Sequence, residues 1–141
     1  MFPSRKYPGR ARLKIVRVEP GTGEPTTGAL ATFVAEVSGV AVGLGRLARD
    51  DDEAAVGRIQ ELSIHPDHRR RGIGLLLCEK LLIEAYTWGF EEVIAWVASR
   101  DAPVRRFLWS QGFLHDGSVR QTQSGPELRL RRGSRVTEIR M

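Results

Sequence analysis

The sequence predicts an α/β fold, and three stretches carry that prediction. Residues 58–65 (Arg58-Ile59-Gln60-Glu61-Leu62-Ser63-Ile64-His65) read as a strand. Residues 75–86 are rich in straight-chain helix formers and read as a helix. Between them lies Arg69-Arg70-Arg71-Gly72-Ile73-Gly74, so the unit is strand, glycine turn, helix.

The other elements follow in chain order. Leu13 to Val18 reads as an opening strand, with Lys14 and Arg17 at polar positions, ended by Glu19-Pro20-Gly21. Residues 21–28 read as a loop, because glycine and proline occupy four of the eight positions. Thr32 to Val37 and Val40 to Leu47 form a hairpin pattern around the two-residue turn Ser38-Gly39. Asp50-Asp51-Asp52-Glu53 reads as a solvated turn, since it lacks the alternate spacing and the glycine of a calcium loop.

In the strand at 58–65 the apolar alternation slips at Gln60-Glu61, as an inserted bulge residue would make it do, and Pro66-Asp67 ends the run. Gly89 closes the helix that follows. Asp101 is placed to N-cap a second helix, with Pro103 in its first turn and Gly112 ending it after Gln111. Glu127 to Arg132 reads as a last strand, its Leu128 and Leu130 alternating with arginines. Residues 1–132 are thus expected to form one domain, and 133–141 a tail or an extra strand.

The turn at 69–74 has the chemistry of an anion site. Three cations concentrate positive potential, two glycines let the backbone approach a bulky ligand, and the helix start aims free N–H groups at the same place. A diphosphate suits it. The Lys-Ser/Thr pair of a phosphate loop does not follow Gly74, and the three-glycine spacing of a dinucleotide fold is incomplete.

With its flanks, this region resembles the coenzyme-A motif of the GCN5-related N-acetyltransferase (GNAT) family, Q/R-x-x-G-x-G/A, through Arg69, Gly72 and Gly74. Leu62 to His68 is similar to the family's fourth strand and the turn after it, and Val93 to Ala98 to its fifth strand. Phe107-Leu108-Trp109-Ser110-Gln111-Gly112-Phe113 resembles its helix ending in Gly-Phe, and Val34 to Gly43 its second and third strands. The resemblance implies a GNAT fold, a mixed central β-sheet flanked by helices. It departs at 21–28, where a short loop stands in place of the family's first two helices, which leaves the acceptor side open or to be completed by a second subunit in a homodimer.

The resemblance further implies acetyl-CoA as co-substrate, with no metal. Leu62, Ser63 and Ile64 would pair with the pantetheine arm like an added strand. Arg69, Arg70, Arg71, Gly72, Ile73 and Gly74 would hold the pyrophosphate and the 3′-phosphate. Asp101 stands where the family has a cofactor-contacting asparagine, although its capping role alone would account for it.

The reaction implied is direct transfer of acetyl to a primary amine. An alkyl amine is only about one part in a thousand unprotonated at neutral pH, a deficit of about 4 kcal/mol that a base or a site lowering that pKa must supply. Glu61 is the candidate base, and the alternative is an ordinary strand glutamate that faces solvent or pairs with an arginine. Leu108 occupies a position where relatives often carry a tyrosine acid, so a non-catalytic acyl-CoA-binding module of the same fold is a second reading. The acceptor is expected to be a small-molecule amine, with a protein amine or a tRNA-bound amine as alternatives.

Bulk properties fit one small domain of 141 residues, 41% of them apolar. No apolar run approaches membrane-spanning length, the start lacks the stretch of a secretory signal, and a single cysteine cannot form an internal disulfide, so a cytoplasmic protein without a membrane partner is expected. The net charge of +5 is concentrated at the ends: six basic residues and one acidic in 1–20, and six and two in 120–141. Solvated termini are favoured over nucleic-acid binding, because no aromatic residue interleaves with the arginines from Arg120 onward. Cys78 reads as a buried apolar residue, His65 and His68 as a surface turn, and Trp88, Trp96 and Trp109 as core or pocket-wall packing.

Overall fold

A computed structural model describes residues 12–19 and 28–135. Its strands are β1 (Leu13–Val18), β2 (Ala31–Val37), β3 (Val40–Arg49), β4 (Val56–Ile64), β5 (Glu92–Ala98), β6 (Leu114–Thr122) and β7 (Gly125–Gly133). Helix α1 (Ile73–Thr87) connects β4 to β5 and α2 (Ala102–Ser110) connects β5 to β6. The seven strands form one sheet in the order β1-β2-β3-β4-β5-β7-β6. Every neighbouring pair is antiparallel except β4 with β5. The loop expected at 21–28 falls almost wholly on residues 20–27, which lie outside the described residues, as do 1–11 and 136–141.

The hairpin of β2 and β3 turns at Ser38 and Gly39, both at positive φ (52° and 85°), the geometry that matches the twist of the flanking strands. Helix α1 lies along one face of the sheet and buries Leu77, Cys78, Leu81 and Leu82 against Phe33, Ala35, Leu47 and Val93. It comes close because β3 presents glycines there. A Cβ at Gly43 would stand 3.1–3.3 Å from Ile64, Leu77 and Ile73, and one at Gly45 would stand 3.2 Å from Leu81. Chain alternation thus places Gly43 and Gly45, two residues apart, under the same helix.

The sheet's other face is built from charge. Asp116 Oδ2 accepts from Arg129 Nε (2.6 Å) and Arg131 Nε (3.2 Å), Arg131 also donates to Glu92 and Glu53, and Arg120 donates to Glu127. Arg120 and Arg129 stack over Trp96, 4.3 Å and 5.6 Å from its ring centre. The arginines from Arg120 to Arg132 therefore have partners within the fold, Arg120 while its side chain is half exposed. Nor is the acidic loop simply solvated: Asp50 is 8% exposed and its Oδ2 accepts the N–H groups of Asp52 (3.1 Å) and Glu53 (2.9 Å), while Glu53 reaches Arg131.

Strand β6 was not expected from the sequence. It is an edge strand, mostly exposed, with a register shift between His115 and Val119, so it carries little of the alternation that marks a half-buried strand. Past β7, Ser134 is buried and its Oγ donates to the Phe90 carbonyl at 2.6 Å.

The carboxyl of Asp116 is pushed up by burial, but the Ser118 N–H and the guanidinium groups of Arg129 and Arg131 outweigh that and hold it at about 2. Its contribution to stability is complete above the ordinary aspartate pKa of about 3.9 and is lost as pH falls through the folded value. Asp116→Asn is expected to be less stable at neutral pH and to lose stability less steeply between about pH 4 and pH 2 than the parent. Urea unfolding across that range measures it, and parallel curves for the two proteins would refute the assignment.

Candidate functional site

The site begins where β4 leaves β5. The two strands share only three partner pairs, Val56 with Glu92, Gly57 with Val93 and Arg58 with Ile94. Beyond these, β4 runs on to Ile64 and β5 to Ala98 with no pairing between them. A wedge opens between their C-terminal ends, the place where open α/β sheets accept ligands.

The start of the wedge coincides with a bulge. In β3, Arg46 is paired with Glu61 and Leu47 with Ile59, so Gln60 is the extra residue, at the slip seen in the sequence. On the far side of the bulge His65 N donates to Val42 O at 2.8 Å. Antiparallel alternation then directs the backbone groups of Ser63 toward β3 and those of Leu62 and Ile64 away from it, into the wedge. Their side chains lie on the helix face, where Ile64 meets Gly43. An extended ligand could therefore add to β4 through main-chain hydrogen bonds.

At the end of β4 the chain makes a single 3-10 turn (Pro66–His68) and then the basic turn. Arg69 Nε donates to the Ile64 carbonyl at 3.2 Å, which ties the turn to the strand end. Arg70 (φ 63°) and Gly72 (φ 84°) are both left-handed. Gly72 is the N-cap of α1 and provides no side-chain hydrogen bond, so the first-turn N–H groups are left for another acceptor beside three guanidinium groups. Gly74 faces α2, where a Cβ would lie 3.5 Å from Phe107. Asp101 stands just past β5, its side chain accepting from Val104 N at 3.3 Å, which is the capping role.

Glu61 lies on the face opposite the helices. Arg46 Nη1 donates to its Oε1 at 2.7 Å and Ser63 Oγ to its Oε2 at 3.3 Å. The sequence left pairing with an arginine open but did not say which arginine. Only the β3–β4 register, with the bulge, sets Arg46 beside it. Trp96 stands across the wedge on the same face, covered by arginines rather than core residues.

The remaining reactive groups are structural. Leu108 is buried in the core beside Phe113. Cys78 is fully buried, and that burial pushes its thiol up to about 11, so it is no nucleophile at neutral pH. His65 Nδ1 accepts from Asp67 N at 3.1 Å in an exposed turn. Trp88 and Trp109 are 45% and 69% exposed, so neither belongs to the core, while Trp109 lines a groove, the pocket-wall role the sequence also allowed. Among the described residues no group of three or more His, Cys, Asp or Glu is arranged to hold a metal ion. Nor is any helix there long and apolar enough to cross a membrane.

Substitution separates the two glycines of the turn. Gly72→Ala is expected to cost about 1–2 kcal/mol, because it forces a Cβ into the left-handed region. Gly74→Ala enters a helix with room for its methyl, and is expected to be neutral or to gain about 0.5–1 kcal/mol. Denaturant unfolding of the pair tests this; equal losses would contradict it.

With this geometry established, comparison with known proteins is informative. A family model described as Acetyltransferase (GNAT) family matches residues 13–113. Among solved structures, the ribosomal-protein-S18-alanine N-acetyltransferase from Escherichia coli aligns with a TM-score of 0.69 at 15% identity, covering 92% of this chain and 99% of that one. The IAA acetyltransferase from Bacillus cereus aligns at 0.70 and 14% identity, covering 86% and 99%. A GNAT family acetyltransferase from Elizabethkingia anophelis with acetyl-CoA bound aligns at 0.69 and 12% identity, covering 86% and 97%. At these identities the likeness is one of fold. No curated protein matches the chain.

Proposed function

The chain belongs to the GNAT acetyltransferase family, and from that premise we propose that it transfers an acetyl group from acetyl-CoA directly to a primary amine of a small molecule, in a cytoplasmic setting. The observation that carries the reading is the wedge: β4 parts from β5 after three pairs and ends in a basic, left-handed turn that opens a helix without a side-chain cap.

Each part of the donor has a counterpart in the chain. The backbone groups of Leu62 and Ile64 suit the amides of a pantetheine arm, which makes side-chain identity there secondary. The N–H groups at Gly72, Ile73 and Gly74, with Arg69, Arg70 and Arg71 around them, suit a pyrophosphate and a further phosphate. An N–H from β4 aimed into the wedge would favour the charge that develops on a thioester oxygen. The amine would approach from the face that carries Glu61 and Trp96. There Glu61 would take its proton, with Arg46 and Ser63 holding the carboxylate in place.

The non-catalytic reading has a specific observation in its favour. Leu108 is buried in the core, where it cannot donate a proton, and Glu61 is engaged at both oxygens. Transfer to a tRNA-bound amine draws less support from the C-terminal arginines, since Arg120, Arg129 and Arg131 are paired within the sheet, while most of the basic N-terminal end lies outside the described residues.

Calorimetry with acetyl-CoA, desulfo-coenzyme A and buffer is expected to give saturable binding of both ligands, and no heat above buffer for either would contradict the reading. Release of free thiol when acetyl-CoA meets a panel of amines distinguishes an enzyme from a binding module. Glu61→Gln is expected to lower the rate about a hundredfold or more with donor affinity kept. Unchanged kinetics would remove Glu61 from the mechanism.

A further inference from the structure

The arginines of β6 and β7 are all satisfied within the fold. Arg120 pairs with Glu127, Arg129 and Arg131 pair with Asp116, and Arg132 donates to backbone carbonyls. Two arginines of α2 differ. Among the described residues neither the side chain of Arg105 nor that of Arg106 has a hydrogen bond or an ion pair, and the Nε of Arg105 is shut off from solvent. A buried donor left unmade is costly, and such groups mark places where a partner belongs.

Both arginines line a groove of about 400 Å³ between α2 and the β6–β7 pair, a size in the range of small-molecule sites. Phe113, Leu128 and Leu130 contribute its apolar lining, and Leu130 and Phe113 belong to the buried core. Trp109 forms a wall while 69% exposed, an unusual degree of exposure for a large apolar ring. His115 completes the lining, and no carboxylate contributes to it. The groove is separate from the wedge: Phe107, on another side of α2, faces Gly74 of α1, whereas Arg105, Arg106 and Trp109 turn toward the last two strands.

We propose that this groove binds a small organic anion with a flat apolar body, an aromatic carboxylate or sulfonate in chemical class. The ring lies along Trp109 above the Phe113, Leu128 and Leu130 surface, and the anionic group accepts from the guanidinium groups of Arg105 and Arg106. Planar donors that fork toward an oxyanion beside an aromatic wall favour this class over a neutral ring or a bare anion. The inference stands apart from the proposed acetyl transfer and holds whether or not that activity is found.

The test titrates 2-naphthoate into the full chain, followed by calorimetry and by the indole N–H signal of Trp109 in a nitrogen-15 correlation spectrum, assigned with Trp109→Phe. Saturable binding that shifts the Trp109 signal is expected. Arg105→Gln and Arg106→Gln should each weaken it about tenfold, as should the neutral isostere 2-naphthalenemethanol, through loss of a charge-assisted hydrogen bond. Acetate should give no Trp109 shift. Arg106 and Trp109 are exposed, so Arg106→Gln and Trp109→Ala decide the question even if Arg105→Gln fails to fold. The proposal is overturned by equal binding of the neutral isostere, by unchanged affinity in the arginine variants, by an unmoved Trp109 signal, or by displacement with desulfo-coenzyme A, which would place the ligand in the donor site. Binding of acidic peptides without any binding of the naphthoate would also overturn it.

Discussion

The parting of β4 from β5 is the constraint on which the site depends. Parallel strands are held by slanted bonds and need a long crossover, here supplied by α1. Three pairs anchor the two strands at one end, and the bulge at Gln60 turns the remainder of β4 so that Leu62 and Ile64 direct their backbone groups into the gap. Had the pairing continued, those groups would be satisfied by β5 and the basic turn would sit above a closed sheet. The tie from Arg69 to the Ile64 carbonyl shows how closely the turn is registered to the strand end.

The two faces of the sheet solve the burial problem differently. On the helix side, β3 gives up side chains at Gly43 and Gly45 so that α1 can approach, and the core is aliphatic. On the other side, arginine stems and carboxylates cover the strands, with Asp116 and Glu53 as shared acceptors and Trp96 beneath two guanidinium groups. An isolated exposed ion pair contributes only about 0–1 kcal/mol. A connected set with shared acceptors does more, because each guanidinium restricts its neighbour and the stems exclude water. That charged surface is also the one from which an acceptor would reach the wedge, so its composition bears on both stability and recognition.

Much of this was legible in the chain. The slip at Gln60-Glu61 marked the bulge, Ser38-Gly39 the hairpin turn, and Asp101 with Pro103 the start of α2, because each is a local steric or hydrogen-bonding rule acting over a few residues. The glycine turn that opens α1 was legible for the same reason. Strand β6 was not, since an exposed edge strand with a bulge after His115 needs no apolar alternation. The buried Asp50 was also misread, as side-chain burial depends on what the rest of the chain brings near.

The sequence by itself determined the kind of every major element but β6, and the basic glycine turn that opens α1. Those follow from backbone sterics and from charge concentrated along a short stretch. The tertiary structure alone decided where β4 and β5 part, that Glu61 meets Arg46, and that Arg131 meets Glu53 across 78 positions of chain. It also decided that, among the described residues, the side chains of Arg105 and Arg106 have no partner beside Trp109 while their counterparts on β6 and β7 do. The physical reason is register: a partner on another strand is chosen by how the sheet is aligned, and no local rule encodes it.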